Sequence, residues 1–189
     1  MAASGKRADA ASRLETERLI LRRWRPSDRE PFAKLNADSR VMQFFPRCLS
    51  REESQALVDR IEAHFEEHAF GLFAAELRET SSFIGFVGLS VPEFKAHFTP
   101  CVESGWRLAA EYWNRGLATE GARAVLKHAF ENLGIEELVS FTVPANVPSR
   151  RVMEKIGMTH RLEDDFDHPK LPEGHPLRRH VLYRIHRTV

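Results

Sequence analysis

Apolar positions recur along this chain with two different periods. From Leu19 the run LILRRWR mixes aliphatic, aromatic and long polar residues and predicts a first strand, ended by Pro26. Ser27 followed by Glu30 has capping-box spacing and predicts a helix to about Ala37. Ser50 and Glu53 repeat the signature, and Ala56, Leu57, Ile61 and Phe65 follow at helical spacing to about His68. Two strand-like runs, 71–77 and 83–91, flank the polar RETSS and predict a hairpin. CVESGWRL (101–108) reads as a further strand. A long helix follows, with Ala118, Ala122, Val125, Leu126, Ala129, Phe130 and Leu133 on one face and Gly134 at its end. LVSFTV (138–143) predicts a strand. Next come a short helix closed by Gly157, a strand-like piece after Met158, a His/Pro-rich loop (168–176) and a last strand, HVLYRI.

The interleaved order predicts a mixed α/β fold. Its centre is a mostly antiparallel, twisted sheet of about seven strands with helices on both faces. The 189 residues suit one domain. Residues 1–13, rich in Ala, Ser and charge, are expected to be a mobile tail, and 14–189 a single domain. The 28 basic and 27 acidic residues give a net charge of +1, with no basic run. That excludes an electrostatic footprint for nucleic acid or a membrane surface. The N-terminus lacks a signal-peptide core and no apolar run reaches membrane-spanning length, so a cytoplasmic protein is expected. Cys48 and Cys101 form neither a disulfide framework nor a zinc motif.

The stretch Cys101–Thr119 carries the chemistry. A strand ends near Leu108, and Asn114, Arg115, Gly116, Leu117, Ala118 and Thr119 then lead straight into the long helix. Small residues let a ligand approach the backbone, and unpaired N–H groups of a first helical turn bind phosphate. Arg115 adds a charge-assisted contact. A turn glycine and an N-cap threonine account for the same residues without a ligand. Asn146, just past the next strand, and Ser149 follow.

Together with T-E-R-L-x-L-R (16–22), F-F-P (44–46), Y-W-N-R-G-L-A-T-E (112–120) and N-x-x-S-x-x-V-M-E-K-I-G-M (146–158), these residues carry a family likeness. From Leu14 to the C-terminus the chain resembles the GNAT superfamily of acyl-CoA-dependent N-acetyltransferases, in the branch related to the RimJ/RimL ribosomal-protein N-terminal acetyltransferases. The superfamily pattern has Arg or Gln three residues before the glycine, and this chain has Trp113. The resemblance implies acetyl-CoA as co-substrate and an amine acceptor; the charge balance and the histidine spacings lead to the expectation of no nucleic-acid or membrane partner and no metal. Acetyl transfer would proceed by direct attack in a ternary complex of a monomer or homodimer.

The resemblance also assigns roles. The backbone of Trp106, Arg107 and Leu108 would pair with the pantetheine arm, and an N–H near Leu108 would stabilise the thioester oxygen. Residues 114–119 would hold the pyrophosphate. Asn146 would bond the pantetheine amide, or simply cap its helix; Ser149 and Arg150 complete the cofactor set. Glu103 is the candidate base, against an ordinary ion-paired strand glutamate. Many members place a tyrosine where this chain has Met153, so Ser149 becomes the candidate donor to the departing thiolate, or just a helix-start residue. Phe44 and Phe45 would wall an acceptor pocket or join the core. In the loop after Asp165, His168 and His175 would contact the acceptor or be solvent-exposed, and their spacing matches no zinc pattern. Two other readings compete: a non-catalytic acyl-CoA sensor on the same fold, and an unrelated phosphate-binding protein that would leave Asn146 unexplained.

Overall fold

A computed structural model describes residues 13–187. In chain order its elements are β1 (Arg13–Glu15), β2 (Leu19–Arg22), α1 (Arg29–Ala37), α2 (Arg51–His68), β3 (Leu72–Leu77), β4 (Ser82–Ser90), β5 (Glu103–Leu108), α3 (Leu117–Glu131), β6 (Glu137–Thr142), α4 (Val147–Lys155), β7 (Thr159–His160), β8 (Phe166–Asp167) and β9 (Arg179–His186). The strands form one nine-stranded sheet in the order β1-β2-β3-β4-β5-β6-β9-β7, with β8 also on β9. All pairings are antiparallel except β5–β6.

Two strands exceed the sequence expectation. β1 pairs with β2, so Arg13 is strand and not tail; the rest of the expected tail, 1–12, lies outside the described residues. The two-residue β8 pairs with β9. Neither is long enough to show a period of two. The start of α1 also differs. Pro26–Asp28 forms a 3-10 turn, and the cap is Asp28, whose carboxylate accepts from the Arg25 N–H at 2.7 Å. The Ser27/Glu30 spacing is therefore coincidental. Asp28 is committed because buried Arg22 holds it at 2.7 and 2.9 Å while also reaching Glu76 at 2.7 Å. The Ser50/Glu53 box on α2 forms as expected, with both reciprocal hydrogen bonds made.

Helices cover both faces. Phe86 of β4 meets Phe32 of α1, ring centroids 6.1 Å apart. Its neighbour Val87 points the other way and lies with Leu19 against Gly121 of α3. The core runs through Leu19, Leu21, Phe32, Phe73, Ile84, Val87 and Leu117. A second apolar cluster, Phe98, Val139, Phe166 and Leu182, covers the β6–β9 end.

One join in the sheet is thin. β5 pairs with β4 along its whole length, from Glu103↔Ser90 to Leu108↔Gly85. On its other edge it meets β6 at a single position, Glu103↔Val139, reinforced by the Val139 N–H on the Val102 carbonyl at 3.0 Å. Beyond that point the two parallel strands part, leaving a wedge with its apex at Glu103 and its mouth at their C-terminal ends.

Candidate active site

The open edge of β5 can be read residue by residue. The Ala109 N–H donates to the Ile84 carbonyl at 2.9 Å. In an antiparallel ladder, hydrogen-bonding residues alternate, so Glu103, Gly105 and Arg107 direct their peptide groups at β4. Ser104, Trp106 and Leu108 direct theirs into the wedge, as the use of the Val102 carbonyl by β6 independently requires. The strand edge available to a ligand is therefore the peptide groups of Trp106 and the N–H of Leu108. The peptide groups of Arg107, grouped with them on sequence, belong to the β4 ladder. Trp113 has a definite place here: its indole N–H donates to the Leu108 carbonyl at 2.8 Å, which ties the loop to the end of the strand.

The mouth of the wedge is built from the following loop. Asn114 and Gly116 are both left-handed (φ +58° and +76°), and Gly116 is the N-cap of α3. The first helical bond is the Glu120 N–H on the Gly116 carbonyl. The N–H groups of Leu117, Ala118 and Thr119 thus have no acceptor within the helix, and no side chain caps them. Three orphan donors at a positive helix end fit a phosphate group, and a free strand edge leading inward fits an amide-bearing arm. Coenzyme A has both parts.

This loop is clamped from the turn between β1 and β2. Arg18 donates to the Arg115 carbonyl at 2.9 Å and pairs with Glu120 at 2.7 and 2.6 Å. Glu120 also accepts from the Thr16 hydroxyl at 2.6 Å and the Arg18 N–H at 2.8 Å. Burial pushes the Glu120 carboxyl up, but these hydrogen bonds more than offset it and hold it below the usual carboxylate range. No role falls on Thr16, Arg18 or Glu120 from sequence alone. The available signal was that TERL and the final Glu of NRGLATE are the two ends of one hydrogen-bonded cluster. Glu120→Gln should weaken acetyl-CoA binding roughly 10-fold by loosening the loop, as read by calorimetry with the thermal midpoint as a folding control. Unchanged affinity would make the clamp a matter of stability alone.

On the β6 side of the mouth, the Asn146 side chain caps α4. Its Oδ1 accepts from the Ser149 N–H at 3.3 Å, and its Nδ2 donates to the Thr142 hydroxyl at 3.0 Å. Capping is therefore its visible role; one amide hydrogen and one lone pair are left over. Arg150 bonds the Pro144 carbonyl and the Tyr183 hydroxyl. Tyr183 is buried and also donates to Glu154 at 3.0 Å, so its hydroxyl is occupied. Met153 is buried in the core.

The side chains of Glu103 and Arg107 face the α1/α2 side, with Gly105 between them on the same face. Among the described residues Glu103 has one weak hydrogen bond, from Ser90 at 3.4 Å, and no cationic partner. Burial pushes its carboxyl up to about 7. The Arg107 guanidinium lies over Phe45 at 4.1 Å and Phe86 at 5.4 Å, donates to the Asn36 side-chain oxygen at 2.7 Å, and is lowered to about 10 by burial. Phe45 is 39% exposed and Phe44 half-buried, so neither joins the core.

The candidate histidines divide. His168 packs at 4.7 Å from Phe94 and 5.1 Å from His180, beside Phe141 of β6. Burial, then neighbouring His180 and Lys170, lower it to about 4, so it is neutral. His175 closes its own loop by accepting from the Leu177 N–H. Asp165 and Asp167 are held by Arg179, and Asp165 also by His160. Cys101 is raised to about 11 by burial and Glu103, which leaves it without a nucleophilic thiolate. Among the described residues no three His, Cys, Asp or Glu side chains converge as a metal site, and no helix is long and apolar enough to cross a membrane. A surface depression of about 350 Å³, lined by Cys101, Val102, Ile135 and Glu137, lies behind the apex and reaches neither the loop nor Arg107.

Comparison with known proteins decides the family. The family model described as an acetyltransferase (GNAT) domain matches residues 18–159. The chain belongs to the GNAT acetyltransferase family. It is an N-acetyltransferase of the RimJ/RimL type, for which acetyl-CoA is the co-substrate. The uncharacterized N-acetyltransferase YnaD of Bacillus subtilis is 28% identical over 162 residues, covering 85% of this chain and 89% of that protein. A GNAT-family acetyltransferase structure from Bacillus anthracis superposes with a TM-score of 0.76 at 27% identity, over 93% of this chain and 98% of its own. RimJ of Mycobacterium smegmatis, solved with CoA-disulfide, shares the fold (TM-score 0.70, 17% identity, 89% and 81% covered).

Proposed function

We propose that this GNAT enzyme acetylates a primary amine by direct attack in a ternary complex, with the β5–β6 wedge as its active site. The observation that carries the reading is the alignment of three features along β5: orphan helix N–H groups at the mouth, a free strand edge between, and an unpaired carboxylate at the apex.

Leu117, Ala118 and Thr119 N–H, with Arg115, bind the diphosphate. Leu108 and Trp106 hold the pantetheine arm, which reaches inward past Asn146. Acetyl-CoA supplies an acetyl thioester activated toward an amine. At about 3.3 Å per residue, Trp106 lies about 10 Å along the strand from Glu103 and Leu108 about 16 Å. The Trp106 N–H is therefore the edge donor that a water molecule on Glu103 can serve, and it stabilises the charge that grows on the carbonyl oxygen. Glu103, ionised above about pH 7, accepts the amine proton directly or through water. The Ser149 hydroxyl, on the first turn of α4, donates to the departing thiolate. A protein α-amine, with an ordinary pKa of about 7.7–8.0, suits so modest a base better than a lysine near 10.4.

Calorimetry should show acetyl-CoA binding, and thiol release should follow addition of a short peptide with a free N-terminus. Binding without release for any amine would leave a sensor on the same fold; no binding would overturn the site assignment itself.

A further inference from the structure

Two opposite charges stand on one face of β5, and among the described residues neither has a counter-ion. Glu103 meets only a serine hydroxyl. Arg107 lies within salt-bridge distance of no carboxylate among the described residues; its one hydrogen bond goes to a neutral amide, and its Nε is buried with no partner. Charges removed from water are costly unless paired. The Arg107 arrangement is nonetheless built. Asn36 is fully buried, with its Nδ2 directed toward Ser54 at 3.2 Å, so that its oxygen is presented to the guanidinium. Phe45, from the loop between α1 and α2, stacks on the same group while remaining solvent-accessible. Such stacking and anchoring fix a guanidinium for bidentate recognition of an anion. Between the two charges, Gly105 leaves room: a Cβ there would meet only Glu103 Oε1 at 3.9 Å and Leu72 Cδ2 at 4.0 Å.

We infer that Arg107 is an anion subsite and that the acceptor is a zwitterion, an amine tethered to a carboxylate, with its amine at Glu103 and its acid at Arg107. The inference rests on the transfer reading above. Four strand residues separate the two α-carbons by about 13 Å. That is too long for a free α-amino acid and matches an extended peptide N-terminus with Asp or Glu at positions two to four. The amine enters where the transfer chemistry needs it, and the acid supplies the counter-ion that the fold withholds from Arg107.

The test uses isosteric pairs of tetrapeptide amides with free N-termini, Asp against Asn at each of positions two to four, and 6-aminohexanoate against its amide. Thiol release is measured with acetyl-CoA. The acidic member of at least one peptide pair should show about 10-fold higher kcat/KM. That ratio should fall to near one in Arg107→Gln and be only partly retained in Arg107→Lys, which keeps the charge but loses the planar fork. A ratio near one across all peptide pairs in the wild type, or an acid preference that survives in Arg107→Gln, overturns the subsite. A preference confined to 6-aminohexanoate overturns the peptide assignment. If no amine is turned over, the transfer reading fails separately, and the subsite is read from binding to the CoA-loaded protein. There the acidic peptide should bind about 10-fold tighter than its amide, and equal binding overturns it.

Discussion

Glu103→Gln is expected to lower kcat about 100- to 10,000-fold, the range a positioned general base contributes, while changing acetyl-CoA affinity little. The same substitution should make the protein more stable. The folded carboxyl is raised from 4.5 to about 7, so between those values the folded state binds the proton more tightly than the unfolded chain. Stability therefore falls as pH rises from about 4.5 to about 7 and stays reduced above it. Glutamine removes that cost, worth at most roughly 3 kcal/mol at pH 8 and nothing at pH 4. Two measurements check this. The wild-type kcat/KM should climb as pH passes about 7, and the variant should lack that limb. Thermal midpoints should diverge at pH 8 in favour of the variant and converge at pH 4. A fully active variant at every pH would remove Glu103 as the base.

Gly116→Glu should abolish acetyl-CoA binding, with at least about a 100-fold loss. A side chain at φ +76° costs roughly 1–2 kcal/mol of backbone strain, which lowers stability in the free and bound states alike. Affinity is lost through charge: a carboxylate about 5 Å from a diphosphate oxygen costs about 3 kcal/mol at an effective dielectric near 20. Arg18 Nη2 is 3.6 Å from where the Cβ would stand, so the new carboxylate would also draw Arg18 away from Glu120. Gly116→Ala separates the effects, since it carries the strain without the charge. It should unfold more easily yet bind nearly normally. Normal binding by the Glu variant would mean that the loop does not hold the diphosphate.

Much of this was legible in the chain because the signals were local. A capping box at Ser50/Glu53, a helical stripe from Ala118 and a glycine leading into it are read within a few residues. The strand at 101–108 was legible too, and so was the side to which Glu103 points, because alternation along a strand needs no partner. The facing of its peptide groups was not legible. Whether Arg107 or Leu108 offers its N–H to a ligand depends on the register with β4, a tertiary fact. The caps of α1 and α4 show the same limit. Ser27 had the right spacing, but Asp28 was drawn in by Arg22 from the preceding strand. Asn146 had two readings, and the structure displays the local one. Trp113 departs from the superfamily pattern in sequence, but its indole bond to Leu108 gives it a task that only the folded turn reveals.

The clamp on the cofactor loop bears on how such enzymes can be recombined. Thr16 and Glu120 share a hydrogen bond across 104 positions of chain. The segment from Tyr112 to Glu120 therefore does not behave as a portable cassette. A crossover point placed anywhere between the two ends joins a loop from one parent to a brace from the other. Chimaeras and loop grafts within this family should keep their cofactor affinity only where both parents carry the same threonine, arginine and glutamate, or where the N-terminal strand travels with the loop.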